Sequence, residues 1–233
     1  MQRSTSKGQG MKAGSSSLLF LGKKDDTHCL RALRFCQANF ESVTACLGAW
    51  GEPLPDAASS WRGDYLVSYL SRWVVPERLL RSAAKAAINF HPASPDYPGI
   101  GCNNFALYEN AAEYGVTCHH MAPKVDVGSI IRVLRFPVLP SDDVAALLAR
   151  TYDYQLVLFY EIATMLIQGQ ELPTSPESWT RRPFTRKEFD ALGKLSVDMP
   201  ADEIARRVRA IRYGSWQPTI ELQGFVFQLR DEA

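Results

Sequence analysis

In this 233-residue chain, Asn89, His91 and Asp126 are the residues whose types and spacing could carry a reaction. The run Asn89-Phe-His-Pro92 follows a short apolar stretch, and strand alternation puts Asn89 and His91 on one side. A loop rich in proline and glycine comes next, from Ala93 to Gly101, and reads as a binding wall. Asp126 sits in Lys-Val-Asp-Val-Gly128, a turn between two expected strands. An amide, an imidazole and a carboxylate that meet above one sheet edge suit acyl transfer. The imidazole can accept a proton from an attacking amine, and the carboxylate orients it. The amide can donate to an oxygen that gains negative charge, and losing one such donor typically costs on the order of 3 kcal/mol. Each residue also has an ordinary structural reading. A histidine can end a strand, an asparagine can satisfy loop backbone, and an aspartate two residues before a glycine can make a turn.

These side chains need a frame, and the hydrophobic pattern predicts one. Short apolar strands at Ser17–Leu21, Val43–Leu47, Asp64–Ser68 and Ala87–Phe90 alternate with helices. Thr27 is the expected cap of the first helix, and Pro76 opens another that runs to Ala84. A helix at Asn103–Ala112, strands at Val116–His120 and Ser129–Phe136, and a long helix capped by Ser141-Asp142-Asp143 and running to Gln168 follow. This is an α/β pattern with a mostly parallel, Rossmann-like sheet and flanking helices. Beyond Gly169 an irregular arm with Trp179, Arg181, Arg182 and Pro183 leads to helices at Thr185–Leu195 and Pro200–Arg212. A strand pair then forms around Gly224. Three segments are expected: a disordered leader over 1–16, a catalytic core over 17–170, and an appendage of arm, short helices and hairpin over 171–233.

Composition narrows the classes. With 26 basic and 25 acidic residues the formal net charge is +1, so no general attraction to nucleic acid or acidic membrane follows. Its 46% hydrophobic content suits a globular chain with a real core. No apolar run reaches membrane-spanning length. Leu18–Leu21 is too short for a secretory signal, and Met11 offers an alternative start. Cys29, Cys36, Cys46, Cys102 and Cys118 are odd in number and lack paired spacing, so they read as free thiols of a reducing cytoplasm, with no metal site.

Four ordered motifs resemble the core of the folate-dependent formyltransferases. They are Asn89-Phe-His-Pro, Tyr97-Pro-Gly99, Tyr114-Gly-Val-Thr-Cys-His119 and Val125-Asp-Val-Gly-Ser-Ile-Ile131. The resemblance spans roughly Ser17 to Phe136. It implies that Asn89, His91 and Asp126 are catalytic and that 10-formyltetrahydrofolate donates the formyl group. It also places the folate between Ser71–Pro76 and Met121–Val125, which puts Arg72, Trp73, Val74, Met121, Lys124 and Val125 beside it.

The branch is read from departures. Ala93-Ser-Pro-Asp-Tyr-Pro-Gly99 stands where purine- and tRNA-modifying members usually carry Ser-Leu-Leu-Pro. The chain ends too soon for the tRNA enzyme's separate barrel, and its near-zero charge agrees. It therefore resembles the enzymes that formylate nucleotide-linked amino sugars, precursors of surface polysaccharide. Lys23 and Lys24, with Arg181, Arg182 and Arg186, are candidates for a diphosphate, and Tyr97, Asn104 and Trp179 for the sugar side. His119 and His120 read as packing or loop contacts. The apolar tail hairpin is expected to pack on the core or on a second subunit. Formylation of another small amine, such as a modified ornithine, and a silent binding module on the same fold are the alternatives.

Overall fold

The computed structural model describes residues 14–230. Its backbone runs β1 Gly14–Lys23, α1 Thr27–Asn39, β2 Phe40–Gly48, α2 Asp56–Ser59, β3 Gly63–Tyr69, α3 Glu77–Leu80 and β4 Ala83–His91. It continues with α4 Cys102–Tyr108, β5 Glu113–His120, β6 Ile130–Pro137 and α5 Val144–Ile167. The last elements are α6 Arg186–Leu192, β7 Lys194–Leu195, α7 Ala201–Ile211, β8 Thr219–Leu222 and β9 Phe225–Gln228.

The main sheet has the order β2-β1-β3-β4-β5-β6. The first four strands are parallel, and β5 and β6 complete the sheet antiparallel. The chain steps from β1 outward to β2, then returns to lay β3 on the other side of β1. Such a reversal opens a crevice beyond the carboxyl ends of the strands, where α/β proteins bind ligands.

Alternation sorts the strand side chains into two buried layers. Leu18 and Phe20 of β1 face the large core with Ile88 and Phe90 of β4, under α1 and α5. Leu19 and Leu21 face the smaller core with Leu66, Val75 and Leu79. The large core is closed by Phe159 of α5, fully buried against Tyr69 and Phe90 at ring separations of 5.3 Å each. Burial of one such side chain stabilises the fold by about 1.5–3 kcal/mol.

Several boundaries differ from the expectation, each for a local reason. Gly14, Ser15 and Ser16 belong to β1 and not to a leader, and the rest of the expected leader, 1–13, lies outside the described residues. Asp26, not Thr27, caps α1: its carboxylate accepts from the Cys29 amide at 3.0 Å and is held by Lys23 at 2.8 Å. The helix expected over Pro76–Ala84 stops at Leu80, because Ala83 already pairs with Gly63 in the sheet. The helix at Asn103–Ala112 ends at Tyr108, and Asn110 takes a left-handed φ of 51°. The helix at Thr185–Leu195 ends at Leu192, and Lys194–Leu195 pairs with Thr219–Ile220. Neither that two-residue strand nor the one-turn α2 has periodicity long enough to read.

The tail hairpin forms around Gln223-Gly224, both at positive φ as a tight hairpin turn requires. Of the two expected placements, packing on the chain's own core is not the one adopted: Phe225 is 71% exposed and Val226 67%. All five cysteines are free and buried. No helix among the described residues is long and apolar enough to cross a membrane.

Candidate active site

β4 delivers Asn89 and His91 at its carboxyl end, and its exit is held at several carbonyls. Gln155 of α5 donates to the Phe90 carbonyl at 2.6 Å, the Tyr114 hydroxyl to Pro92 at 3.0 Å, and the Thr117 hydroxyl to Ala93 at 2.7 Å. These buried bonds fix the path on which the two side chains sit.

Asp126 comes from the turn between β5 and β6, with φ of 49° in the left-handed region. The turn closes so tightly that a Cβ on Gly128 would lie 1.7 Å from the His120 carbonyl, so only glycine fits there. Asp126 is 4% exposed and accepts from the Gly99 amide at 2.9 Å. Its Oδ2 lies 3.4 Å from His91 Nδ1 and its Oδ1 3.5 Å from His119 Nε2. Burial alone would raise this carboxyl. The facing histidines, with the hydrogen bonds from His119 and Gly99, outweigh it and bring the pKa down to about 2. Asp126 is therefore a buried carboxylate at neutral pH.

Each nitrogen of His91 faces an acceptor. Nε2 donates to the Tyr97 carbonyl at 3.1 Å, and Nδ1 faces Asp126. His119 joins the group as a fourth member, which corrects its reading as a packing contact. Its Nδ1 donates to the His120 carbonyl at 2.8 Å, which leaves Nε2 facing the Asn89 amide at 3.1 Å and Asp126. As a neutral ring, His119 accepts from Asn89; with a second proton, it donates to Asp126. The signal was present in the sequence, since alternation along β5 turns His119 toward the face that carries Asn89, its cross-strand partner.

Trp179, expected on the sugar side, instead covers the histidines. Its ring meets His119 edge-on at 5.1 Å and His91 at 5.8 Å, and its Nε1 donates to the Gly128 carbonyl at 2.8 Å. The arm that carries it is tied down by main-chain bonds from Ser175 to Ile130, Thr180 to Pro95 and Phe184 to Pro98.

Asn89, His91, His119 and Asp126 open on a cavity of about 630 Å³. Arg72, Trp73, Val74, Met121, Lys124 and Val125 all line it. Of the residues expected to meet the acceptor, Asn104 and Arg186 line it as well, although the Asn104 amide also donates to the Ala210 carbonyl at 2.6 Å and so anchors α7. The others stand outside the lining. Lys23 is paired with Asp26 and lies over the Tyr152 ring. Tyr97 is buried against Tyr114 and offers His91 its carbonyl. Exposed Arg182 is held by Glu188 at 2.7 and 2.9 Å. Arg181 is paired with Glu109 at 2.7 Å.

A strand-end amide and imidazole and a turn carboxylate thus meet at a cavity beyond the carboxyl ends of the strands, where the sheet order reverses. Residues 55–162 match the model of the formyl transferase family. Among curated proteins it is 28% identical over 156 residues to the methionyl-tRNA formyltransferase of Latilactobacillus sakei, covering 66% of this chain and 49% of that one. The chain thus spans about half the length of that relative. Among solved structures it is similar to a sugar N-formyltransferase from Shewanella sp., with TM-score 0.72 and 17% identity over 93% of this chain and 97% of that one. It is also similar to an N-formyltransferase from Helicobacter canadensis in complex with folinic acid and dTDP-3-aminofucose. There the TM-score is 0.65 and the identity 18%, over 89% and 84% of the two chains. At these identities the structural likeness is one of fold.

Proposed function

We propose that this chain moves a formyl group from 10-formyltetrahydrofolate onto the amino group of a nucleoside-diphosphate-linked amino-deoxy sugar, in the cytoplasm, as a step toward surface polysaccharide. The observation that carries the reading is the group Asn89, His91, His119 and Asp126 at the edge of one cavity, with a carboxylate ionised and buried behind two imidazoles. The structures alike in fold over most of this chain include two sugar N-formyltransferases, which supports the sugar branch.

The cavity fits the donor. The loops 70–75 and 121–125 line it with Leu70, Trp73, Val75 and Met121 for a flat ring system, and with Arg72 and Lys124 for an anionic tail. When bound, the folate supplies an activated formyl group. The side chains supply the rest. An amine that bonds to a formyl carbon must lose a proton while the carbonyl oxygen gains charge. Asn89 holds its amide at the cavity edge, where it can donate to that oxygen. With Nε2 donating to Tyr97, His91 takes the amine's proton at Nδ1, where Asp126 stabilises the charged ring. His91 then passes it to the folate nitrogen as that nitrogen's bond to the formyl carbon breaks, so that tetrahydrofolate leaves. Asn89 and Asp126 both touch His119, so a change at either reaches the other through one ring.

The likeness to methionyl-tRNA formyltransferases favours a second reading, in which the acceptor is the amino group of an aminoacyl-tRNA. One experiment decides. The chain is incubated with 10-formyltetrahydrofolate and either a panel of nucleoside-diphosphate amino sugars or methionyl-tRNA, and products are read by mass spectrometry. A gain of one formyl group on one sugar, lost in Asp126→Asn, is the expected result. Formylated methionyl-tRNA with every sugar unchanged would replace the proposal by the second reading.

A further inference from the structure

Trp50, Arg186 and Trp216 come from three separate segments and meet at the rim of the cavity. The Arg186 guanidinium lies 5.3 Å from the Trp216 ring and 6.0 Å from the Trp50 ring, with Phe189 below it at 5.5 Å. Arg72 stacks on Trp50 at 5.0 Å. The two tryptophans remain open, 64% and 48% exposed for Trp50 and Trp216. The arrangement lies at the cavity rim and not in the core, where each indole keeps open surface beside its arginine.

The charge of the cavity points the same way. Among the described residues, Asp126 is the only carboxylate in the lining, and it is committed to the histidines. Arg72, Lys124 and Arg186 are the cations, and Arg186 has Asp190 only at 3.8 Å, on the exposed face of α6. A planar cation between flat rings at an electropositive rim suits a ligand with a flat ring joined to phosphate oxygens. The clamp also lies outside the segment that the family model matches, since Trp50 precedes 55 and Arg186, Phe189 and Trp216 follow 162. The reacting group and the donor-side loops from Arg72 and Met121 onward lie within it.

From these observations we infer that Trp50, Arg186 and Trp216 form the subsite for the nucleoside diphosphate of the acceptor, with the base on an indole face and the phosphates on Arg186. This rests on the acceptor reading above, and its test separates the two. Calorimetric titration of the full chain uses UDP and dTDP as nucleotide probes and folinic acid as the donor probe. Arg186→Met and Trp216→Ala should each weaken nucleotide binding at least tenfold and leave the folinic acid Kd within twofold. Arg186→Lys and Trp216→Phe should recover much of the loss, which a simple folding defect would not allow. Unchanged nucleotide affinity in both variants, with sugar formylation intact in the parent, would overturn the subsite and leave the acceptor reading standing. Weaker folinic acid binding alone would assign the clamp to the donor and overturn the inference. A parent that binds folinic acid but neither nucleotide would overturn the subsite and the acceptor reading together.

Discussion

The two walls of the cavity are built differently. One is the end of the sheet: His91, His119 and Asp126 are each about 95% buried or more, with main-chain carbonyls bonded on every side. The other is the rim from α6 and the turn after α7, where the Arg186 side chain and Trp216 are nearly half exposed. Geometry is fixed on the first wall because the sheet holds its backbone from both flanks. The second can vary without disturbing the first, as loops on a rigid scaffold do. Rate should therefore depend on one wall, and recognition on the other.

The most direct way to break that contrast is at Asp126. Asp126→Asn keeps a residue that tolerates left-handed φ but removes the charge, and formyl transfer should fall about 10³-fold, within the range for acid–base groups. Acceptor KM measured beside kcat decides, and a change confined to KM would place Asp126 among the recognition residues.

Phe159→Ala should destabilise the fold by about 3–5 kcal/mol, since it empties the centre of the aromatic group under the first wall. Denaturant midpoints read this, and a loss under 1 kcal/mol would mean that the group is loosely packed.

Acid sharpens the contrast. The Asp126 carboxyl is lowered from 3.8 to about 2, so the stability it adds is complete above about pH 4 and is lost as pH falls through 2. That contribution is on the order of 2 kcal/mol. Urea midpoints between pH 2 and 5 should fall less steeply toward acid in Asp126→Asn than in the parent, and parallel curves would contradict the assignment.

Trp179→Ala should lower kcat about tenfold and leave acceptor KM nearly unchanged, because the ring touches the two histidines. Trp179→Phe, which keeps a ring but loses the bond to Gly128, should fall between. A rise in acceptor KM alone would return Trp179 to the sugar side. The smallest effect belongs to the hairpin. Phe225→Ser should change stability by less than about 0.5 kcal/mol, as exposed sites do, and a larger loss that grows on dilution would reveal a second subunit on that face.

Much of this frame was legible in the residues. Apolar strand centres and a 24-residue helix announce themselves by pattern, so β1 to β6 and α5 stand near their expected places. Asn89, His91 and Asp126 converge because alternation and a turn before Gly128 leave them little freedom. What stayed hidden depended on contacts distant in sequence. Trp179 lies 51 residues from the carbonyl it bonds, and nothing local to the arm says that it folds over the histidines. Tyr97 and Arg182 carried suitable chemistry for a sugar and a diphosphate, yet burial against Tyr114 and a pairing with Glu188 turned them elsewhere. The role of His119 was readable from the same alternation that placed Asn89.

Asp126 holds its carboxylate on a backbone at φ 49°, a conformation that costs an aspartate roughly 1 kcal/mol or more and a glycine nearly nothing. A lineage freed from the reaction has no reason to keep that cost. Drift there should favour glycine or asparagine at 126, while Gly128 stays fixed by the clash it avoids. Among related chains, the pair of positions would then tell a working enzyme from a retired one: aspartate with glycine where the chemistry is still under selection, and glycine at 128 alone where only the fold is.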